Sequence, residues 1–296
     1  MVVFHRRLPK FEFIAPRTLD EALNYLSIYK GEAMVMAGGT DLVPKLKTRK
    51  IKAPSYLIDL KNIPGLDYIR YDTKNGLTMG ALVAIRIIEK SPLIQEKYPL
   101  LWEAAESMAS IQVRNRGTLA GNICNAAPSA DTAPALLNLE AKLKLNSQKG
   151  ERIIDIEDFF TGPNKTAVEN VEILTEIQLP ISPSGSRGRY LKLSPRRSMD
   201  LAVVGVAVLG VLDQGKFKDA RIGLGAVAPT PIRAKQAEDI LRNQKIGPEI
   251  IEKAAEMAAR ESSPIDDHRA SAEYRREMVK VLTRRALEQI FRLEHQ

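Results

Sequence analysis

The chain has 296 residues, of which 44% are hydrophobic and 27% are charged, and its formal net charge at pH 7 is +8. This length is typical of about two domains, and the apolar fraction is high enough to form a buried core, which argues against disorder. The single cysteine, Cys124, excludes an internal disulfide, a four-thiolate zinc site and an iron–sulfur cluster ligated by this chain alone.

The sequence also argues against membrane, secreted and nucleic-acid-binding proteins. It contains no run of about 18 apolar residues, and its first residues lack the apolar core of a secretion signal, so we expect a cytoplasmic protein with no membrane partner. Most of the positive charge lies in residues 184–296, where acidic residues are interleaved with it as on a solvated helix face. Because aromatic residues make up only 5% of the chain, we expect no nucleic-acid partner and favour an acidic docking partner.

The first sixty residues predict a helix between short strands. Thr18 and Glu21 form a capping box followed by apolar residues at helical spacing, so a helix begins there and can end at Gly31. Residues 32–37 are a short apolar run that predicts a buried strand leading directly into two glycines. A second strand is predicted over residues 55–60.

The middle of the chain predicts a hairpin, a helical stretch and a long loop. Asn75-Gly76 is a strong signal for a tight turn, and the residues on both sides predict a hairpin over 66–71 and 77–81. A helical stretch is predicted over 83–110. Residues 111–134 are rich in small and turn-forming residues without a sustained period, so we expect an irregular loop of the functional kind.

The last part of the chain has the pattern of an α+β domain. Short strands are predicted from 135 to 180, and residues 181–188, rich in Ser, Pro and Gly, predict a linker. Beyond the linker, strands come first and helices follow, without the alternation of a parallel βαβ sheet. The predicted strands are 189–194, 202–212 and 218–227, and the predicted helices are 234–243, 248–261 and about 269–293. We therefore predict one domain over 1–180 and a second over 185–296.

The first candidate binding segment is residues 35–42, Val-Met-Ala-Gly-Gly-Thr-Asp-Leu. A strand that ends in two glycines presents backbone N–H groups with no Cβ in the way, so an anion can approach them closely. Thr40 and Asp41 add a hydroxyl and a carboxylate. The same three letters Gly-Gly-Thr also occur in ordinary turns, so this segment alone does not decide between the two interpretations.

The second candidate is residues 116–123, Arg-Gly-Thr-Leu-Ala-Gly-Asn-Ile, with Pro128 and Asp131 downstream. Small residues, a hydroxyl, an amide and a carboxylate on one long loop suit the binding of a large polar ligand. The alternative is a purely structural loop. The sequence shows no nucleophile motif, phosphate-binding loop or paired zinc motif, so any reactive group is expected to belong to a cofactor.

A third glycine segment, residues 223–228, fits the dinucleotide pattern G-x-G-x-x-A but is rejected. That pattern requires a helix directly after the glycines, whose first turn holds the diphosphate. Pro229 and Pro231 follow instead and prevent a helix from starting there.

In their order and spacing, 37–42, 118–122 and 128–131 resemble the FAD-binding (medium) subunit of the xanthine dehydrogenase/carbon monoxide dehydrogenase family of molybdenum hydroxylases. The spacing of Lys192, Arg196 and Asp200 before Leu-Ala-Val-Val is similar to its C-terminal domain. The resemblance covers essentially the whole chain. It implies an α+β fold with a two-part FAD-binding domain of the p-cresol methylhydroxylase or vanillyl-alcohol oxidase type, divided near 55–60. An α+β C-terminal domain with an antiparallel sheet and helices would follow.

The resemblance also implies which residues bind FAD. The implied cofactor-binding residues are Val35, Met36, Ala37, Gly38, Gly39, Thr40, Asp41, Leu42, Thr118, Leu119, Ala120, Gly121, Asn122, Asp131, Leu174 and Lys192. Ala120 departs from the family pattern, which usually has a second glycine there; a methyl group is tolerable if its φ is negative. Lys192 is implied to lie near the isoalloxazine ring, where a cation would favour reduced, anionic flavin. The alternative is a strand-edge lysine in solvent.

By resemblance, the chain carries FAD and no catalytic or metal-binding residue of its own. Because the three histidines lie outside both motifs, we expect the FAD to be non-covalent, and we expect Cys124 to be a buried, inert thiol. The implied partners are a molybdopterin-binding large subunit and a small subunit with two [2Fe-2S] clusters, joined as a dimer of heterotrimers. Electrons would pass from the clusters through FAD to an external acceptor such as NAD⁺, a quinone or another carrier. Two alternatives stay open, namely a stand-alone FAD oxidase or dehydrogenase, and a scaffold that has lost FAD.

Overall fold

A computed structural model describes residues 7–196 and 199–292. The described residues form 14 strands and 12 helices. The strands are β1 (Glu12–Ile14), β2 (Ala33–Met36), β3 (Tyr56–Asp59), β4 (Ile69–Asp72), β5 (Gly76–Gly80), β6 (Lys142–Ser147), β7 (Gly150–Asp155), β8 (Phe160–Gly162), β9 (Lys165–Thr166), β10 (Ile173–Leu179), β11 (Ser186–Leu193), β12 (Val204–Asp213), β13 (Lys216–Gly225) and β14 (Ile232–Arg233). The helices are α1 (Leu19–Ile28), α2 (Leu42–Lys47), α3 (Ile85–Lys90), α4 (Pro92–Lys97), α5 (Pro99–Ser107), α6 (Ile111–Arg114), α7 (Leu119–Cys124), α8 (Thr132–Asn138), α9 (Ile156–Phe159), α10 (Lys235–Leu241), α11 (Pro248–Glu261) and α12 (Ala272–Arg292).

The described strands pair in four sheets. The first is a parallel three-stranded sheet in the order β1-β3-β2, and the second is an antiparallel five-stranded sheet in the order β4-β5-β10-β6-β7. The C-terminal sheet is antiparallel, in the order β11-β12-β13-β14, and β8 and β9 form a small hairpin. Mixed helices and antiparallel sheets confirm the predicted α+β fold class.

The predicted capping box is present at the start of α1. The Thr18 hydroxyl accepts a hydrogen bond from the Glu21 N–H at 3.1 Å, and the Glu21 carboxylate accepts one from the Arg17 N–H at 2.8 Å. Ala22, Leu23 and Leu26 are the buried face of the helix, which packs on β3. The hairpin predicted around Asn75-Gly76 is also confirmed, because β4 and β5 flank that turn and Gly76 has a φ of +89°.

The helical stretch predicted over 83–110 is interrupted twice. Proline has no N–H group to donate and clashes with the preceding turn, so Pro92 and Pro99 each begin a new helix. Ser91 caps α4 by accepting a hydrogen bond from the Ile94 N–H at 3.3 Å.

The irregular loop predicted over 111–134 is wrong, because that segment contains α6, α7 and the start of α8. The side chains of Ser110 and Thr118 cap α6 and α7, and Leu119 and Ile123 anchor α7 in the core. Two shorter segments also differ from their predicted structure. Residues 135–138 are helical rather than extended, and the predicted linker 181–188 ends earlier, since β11 begins at Ser186 by pairing with Val211.

The C-terminal prediction of strands followed by helices is confirmed, and the residues at 223–225 lie inside β13 with no helix directly after them. Helices α10–α12 cover one face of the C-terminal sheet. Tyr190, Ala207 and Leu209 from that sheet share a core with the five-stranded sheet and with α3, α4, α5, α7 and α8. The Asn138 amide of α8, fully buried, donates hydrogen bonds to Ala207 O at 2.9 Å and Arg221 O at 3.0 Å.

The helices between residues 7 and 292 include none that combines the length and apolar character needed to cross a bilayer.

Candidate cofactor-binding site

The first wall of the site is the turn that follows β2. Gly39 has a φ of +73°, a left-handed conformation that glycine adopts without steric cost. Within the described ranges, the backbone N–H groups of Gly38, Gly39, Thr40 and Asp41 donate no hydrogen bond to the protein. Consecutive N–H groups left free in such a turn attract anions. The turn can therefore hold an anionic group.

The second wall is the first turn of α7. The Thr118 hydroxyl accepts a hydrogen bond from the Gly121 N–H at 3.0 Å, which fixes the glycine at the wall. Asn122 is buried, and its Oδ1 accepts a hydrogen bond from the Thr132 hydroxyl at 2.6 Å. This wall is therefore attached to α8 as well as to its own helix.

Two backbone hydrogen bonds fasten the second wall to the chain before α3. The Ile85 N–H donates to Gly117 O at 2.9 Å, and the Leu119 N–H donates to Val83 O at 3.2 Å. Because Val83, Ile85 and Leu119 are fully or almost fully buried, the wall rests on core residues and not on a free loop.

The two glycine segments meet directly. An ideal Cβ on Gly38 would lie 2.0 Å from Arg116 O and 2.8 Å from Gly117 Cα, and a Cβ on Gly117 would lie 3.1 Å from Thr40 Oγ1. A side chain at Gly38 would thus separate the backbones. The structure brings the two segments predicted from the sequence into one crevice.

That crevice belongs to a cleft of about 520 Å³, within the size range of small-molecule and cofactor sites. It contains thirteen of the sixteen residues implied by the resemblance. They are Val35, Met36, Ala37, Gly38, Gly39, Thr40, Asp41, Leu42, Thr118, Ala120, Gly121, Asn122 and Leu174. Ala120 lies in α7 and is not among the residues with positive φ, so its methyl group fits the backbone there.

Three implied residues are not in the cleft lining. Leu119 is fully buried in the core beneath it. Asp131 and Lys192 form a buried ion pair, with Lys192 Nζ 2.9 Å from Asp131 Oδ2. Lys192 Nζ also donates to Ser107 O at 3.2 Å, next to Met108 of the cleft, so the pair lies directly behind the wall. The lysine is not a solvent-exposed strand-edge residue.

A tyrosine completes this pair. The Tyr190 hydroxyl donates a hydrogen bond to Asp131 Oδ1 at 2.8 Å. Burial raises the pKa of the Asp131 carboxyl, while Lys192 and Tyr190 act in the opposite direction. Burial and the nearby carboxylate also hold the pKa of Tyr190 well above its usual range. The hydroxyl is therefore a hydrogen-bond donor at neutral pH, and the carboxylate compensates the ammonium charge.

Three titratable side chains of the lining have shifted pKa values: the hydrogen bond from Arg152 lowers the pKa of Glu172, whereas the pKa values of Asp41 and Cys124 are raised. Asp41 is exposed at the rim; desolvation by the cleft walls raises the pKa of its carboxyl, and Lys45 acts in the opposite direction. The surrounding cleft walls partly desolvate the Cys124 thiol and raise its pKa, so the thiol is protonated at neutral pH. The expectation that Cys124 is buried is wrong, because its side chain is exposed on the cleft side at the end of α7.

Part of the cleft lining is marked by no sequence motif. This part includes Lys45 of α2, Met108, and the segment that runs from the β8–β9 hairpin to β10. The lining residues of that segment are Asn164, Thr166, Val168, Glu169, Asn170, Glu172 and Ile173. No glycine motif marks these residues, and only the position of Lys45 one turn after Asp41 could have indicated one of them.

The residues present fit a dinucleotide cofactor. Free N–H groups and two threonine hydroxyls can bind a diphosphate, one lysine can compensate charge, and apolar side chains such as Met108 and Leu174 can contact a ring. Across residues 7–196 and 199–292, no three His, Cys, Asp or Glu side chains are grouped so as to hold a metal ion.

Comparisons with known proteins agree with this geometry. Residues 9–182 match the model of the FAD binding domain in molybdopterin dehydrogenase, and residues 189–290 match that of the CO dehydrogenase flavoprotein C-terminal domain. The glyceraldehyde dehydrogenase medium chain of Sulfolobus acidocaldarius is 33% identical over 95% of this chain and 99% of its own length. The putative xanthine dehydrogenase FAD-binding subunit of Escherichia coli is 33% identical over 91% of this chain and 92% of its own.

A solved structure shares the whole architecture. Carbon monoxide dehydrogenase from Hydrogenophaga pseudoflava, in a form that lacks the Mo-pyranopterin moiety, has a chain that superimposes with a TM-score of 0.93. The two chains are 34% identical, and the match covers 96% of this chain and 98% of that one. The family models, the relatives and this superposition confirm the resemblance found in the motifs, and the chain belongs to the FAD-binding medium subunits of the xanthine dehydrogenase/carbon monoxide dehydrogenase family of molybdenum hydroxylases.

Proposed function

We propose that this chain binds FAD non-covalently in the cleft and passes electrons from [2Fe-2S] clusters of a partner subunit to an external acceptor. The proposal rests above all on one observation: residues 38–41, whose four consecutive N–H groups donate no hydrogen bond to the described protein, line the same cleft as the first turn of α7. FAD, when bound, supplies the redox chemistry. The chain's own residues bind the cofactor and orient it.

In this proposal, residues 38–41 and Thr118–Asn122 bind the diphosphate. Leu174 and Met108 contact an apolar part of the cofactor. Asp131 and Lys192 do not line the cleft and support its wall indirectly. The Lys192 ammonium group donates a hydrogen bond to Ser107 O, and the Asp131 carboxylate accepts one from the Tyr190 hydroxyl. The proposed FAD-binding domain comprises residues 1–180, divided into two subdomains near 55–60, and the proposed C-terminal domain comprises residues 185–296.

The cleft offers little for substrate chemistry of its own. Its carboxylates are Asp41, Glu169 and Glu172, and Glu172 is already paired with Arg152 at 2.6 Å. Among the described residues, the cleft lining contains no histidine or tyrosine that could serve as the proton donor or acceptor that an oxidase needs. This favours an electron-transfer subunit over a stand-alone FAD oxidase or dehydrogenase.

The partners that we propose are a molybdopterin-binding large subunit and a [2Fe-2S] small subunit, assembled in the cytoplasm as a dimer of heterotrimers. The names of the relatives, a medium chain and an FAD-binding subunit, support this. An exposed surface supports it too. Lys47, Arg49, Lys50 and Lys52 are exposed, follow Lys45 of the cleft closely in sequence and, within the described part of the chain, have no carboxylate partner; Arg49 also donates a hydrogen bond to the backbone oxygen of the exposed Arg7. Such a surface suits an acidic face of another protein.

The experiment is to purify the tagged chain with the proteins that accompany it and to measure flavin, molybdenum and iron. We expect FAD in about equal amount to the chain, a flavin absorbance that is released to the supernatant by acid, and molybdenum and iron only on co-purifying chains. Flavin that stays in the acid pellet would contradict non-covalent binding. A colourless complex would contradict FAD binding, and flavin reduction by an organic donor with the purified chain alone would favour an oxidase.

Charge reversal tests the docking surface. Lys50→Glu together with Lys52→Glu should reduce co-purification of the partners, because like charges would then face each other. The same change at Lys253, which is paired with Glu249 on α11, is the matched control. Unchanged recovery of the partners with the double variant would refute a docking role for this surface.

A further inference from the structure

One cationic side chain lines the cleft among the residues that the structure describes, and it is Lys45. It lies in α2, four residues after Asp41 and so close in sequence to the free N–H groups of residues 38–41. Its backbone N–H donates to Asp41 O at 3.1 Å, so the helix fixes its position relative to that turn. The lysine is only partly exposed.

The ammonium group of Lys45 is held by neutral acceptors from the other side of the cleft. Its Nζ donates to Asn125 Oδ1, just after α7, and to Asn164 Oδ1 at 3.2 Å, in the turn between β8 and β9. Asn164 is itself fixed, since its N–H donates to Ala126 O at 2.8 Å. Lys45 therefore ties α2 to two other segments of the lining.

Among the residues that the structure describes, no carboxylate forms an ion pair with Lys45. None of the described carboxylates lies within 4.0 Å of Lys45 Nζ, and Asp41 affects it only at longer range. A partly desolvated ammonium group with only amide oxygens around it is less well compensated than one paired with an anion. The other lysine of the same helix, Lys47, is exposed to solvent.

We infer that Lys45 is the charge partner of the cofactor diphosphate, and that Asn125 and Asn164 hold its ammonium group in place for that role. This inference rests on the proposed function, because it needs a dinucleotide in the cleft. The N–H groups of 38–41 bind phosphate oxygens without a full positive charge, and a diphosphate carries about two negative charges. A lysine one helical turn away supplies the missing counter-charge.

The test compares FAD with riboflavin, which has the same ring system but no phosphate. The full-length chain, purified with its partner subunits and freed of flavin, is titrated with each ligand while flavin fluorescence is measured. We expect Lys45→Met to weaken FAD binding by at least about tenfold, as for the loss of one charge-assisted contact, and to change riboflavin binding less than about twofold. Lys253→Met, which removes an exposed lysine of α11 outside the cleft lining, is the control and should leave both unchanged.

Two further measurements separate charge from packing. Increasing KCl should weaken FAD binding to the natural chain more steeply than to Lys45→Met, because salt screens the ion pair. Lys45→Arg should retain most of the affinity. An unchanged Kd for FAD in Lys45→Met, or an equal loss for FAD and riboflavin, would overturn the inference. If the natural chain binds neither FAD nor riboflavin, both the proposed function and this inference are wrong. If the natural chain and Lys45→Met bind FAD equally tightly, only the inference about Lys45 is wrong.

Discussion

Gly38 and Arg116 are in such close backbone contact that a Cβ on the glycine would lie 2.0 Å from the arginine carbonyl oxygen. The two walls of the cleft are thus held at a separation that only a glycine permits. No flexible side chain is involved that could move aside, because the obstructing atoms belong to the backbone.

Replacing Gly38 by serine should therefore open the cleft. We expect Gly38→Ser to lower the free energy of unfolding by about 1–3 kcal/mol, as for overpacking, and to weaken FAD binding at least about tenfold. Gly247→Ser is the control, since Gly247 has open space around its Cα, extended backbone and the N-cap position of α11, where serine is favoured. Urea denaturation and flavin titration measure both effects, and natural affinity in Gly38→Ser would contradict the role given to this contact.

The buried pair of Asp131 and Lys192 should be costly to break. We expect Lys192→Met to destabilise the chain by about 3–5 kcal/mol, because it leaves an uncompensated carboxylate in a buried position. The double variant with Asp131→Asn should lose less than the sum of the two single variants. Lys253→Met removes an exposed pair with Glu249 and should cost less than about 1 kcal/mol. Strict additivity in the urea midpoints would show that the pair is not coupled.

The same lysine has a predicted effect on the flavin. A cation near the ring favours reduced, anionic flavin, so Lys192→Ala should lower the flavin midpoint potential. Because Asp131 compensates much of the charge, we expect a smaller decrease than for an unpaired cation. Spectroelectrochemistry measures the potential, and an unchanged value would exclude an electrostatic role for Lys192.

Acid should destabilise the C-terminal part of the chain through Asp267. Burial opposes its ionisation, but hydrogen bonds from Arg269 and Arg275 outweigh burial and hold the pKa of this carboxyl well below its usual range. Its stabilising effect is therefore complete above the unfolded-state pKa of about 3.9 and is lost as the pH falls towards the folded-state value. We expect Asp267→Asn to cost about 3 kcal/mol at pH 7 and progressively less below about pH 4. A cost that does not depend on pH in urea titrations would contradict this.

Asn138 should be sensitive to the loss of its donor group. From α8, its side-chain amide donates hydrogen bonds to two strands of the C-terminal sheet. In Asn138→Asp, carboxylate oxygens would instead face the carbonyl oxygens of Ala207 and Arg221. We expect a loss of about 3 kcal/mol or more in the free energy of unfolding, since a buried charge faces two acceptors. Asn62→Asp, at an exposed position, is the control. Natural stability of Asn138→Asp at pH 7 would contradict the importance of this contact.

Long periodic segments were predictable from the sequence, and short ones were not. The strands and helices after residue 200 match their predicted limits within a few residues, because each has a sustained apolar pattern. Helices α6 and α7 have four and six residues, too few for such a pattern. They depend on caps from Ser110 and Thr118 and on packing, which a local pattern does not contain.

In the cleft, too, some residues could be predicted from the sequence and others could not. The glycine segments 38–39 and 117–121 were recognisable because close backbone approach restricts the residue type to glycine. Lys45 and Asn164, by contrast, meet across 119 residues of chain, and nothing in their neighbours indicates that contact. The sequence predicts Lys192 near the ring but does not indicate its ion partner, because the pairing joins the N-cap residue of α8 to strand β11 across 61 residues of chain.

The way in which Asp131, Tyr190 and Lys192 join the two parts of the chain has a consequence for proteolysis. The short exposed stretch at 181–185 is a natural place for a protease to cut, but a nick there would not release either piece. The amino-terminal fragment would retain a buried carboxylate and Asn138 without their partners, so the fragments should stay associated and denature together. A nicked preparation can therefore pass for intact protein on a sizing column and be recognised only on a denaturing gel.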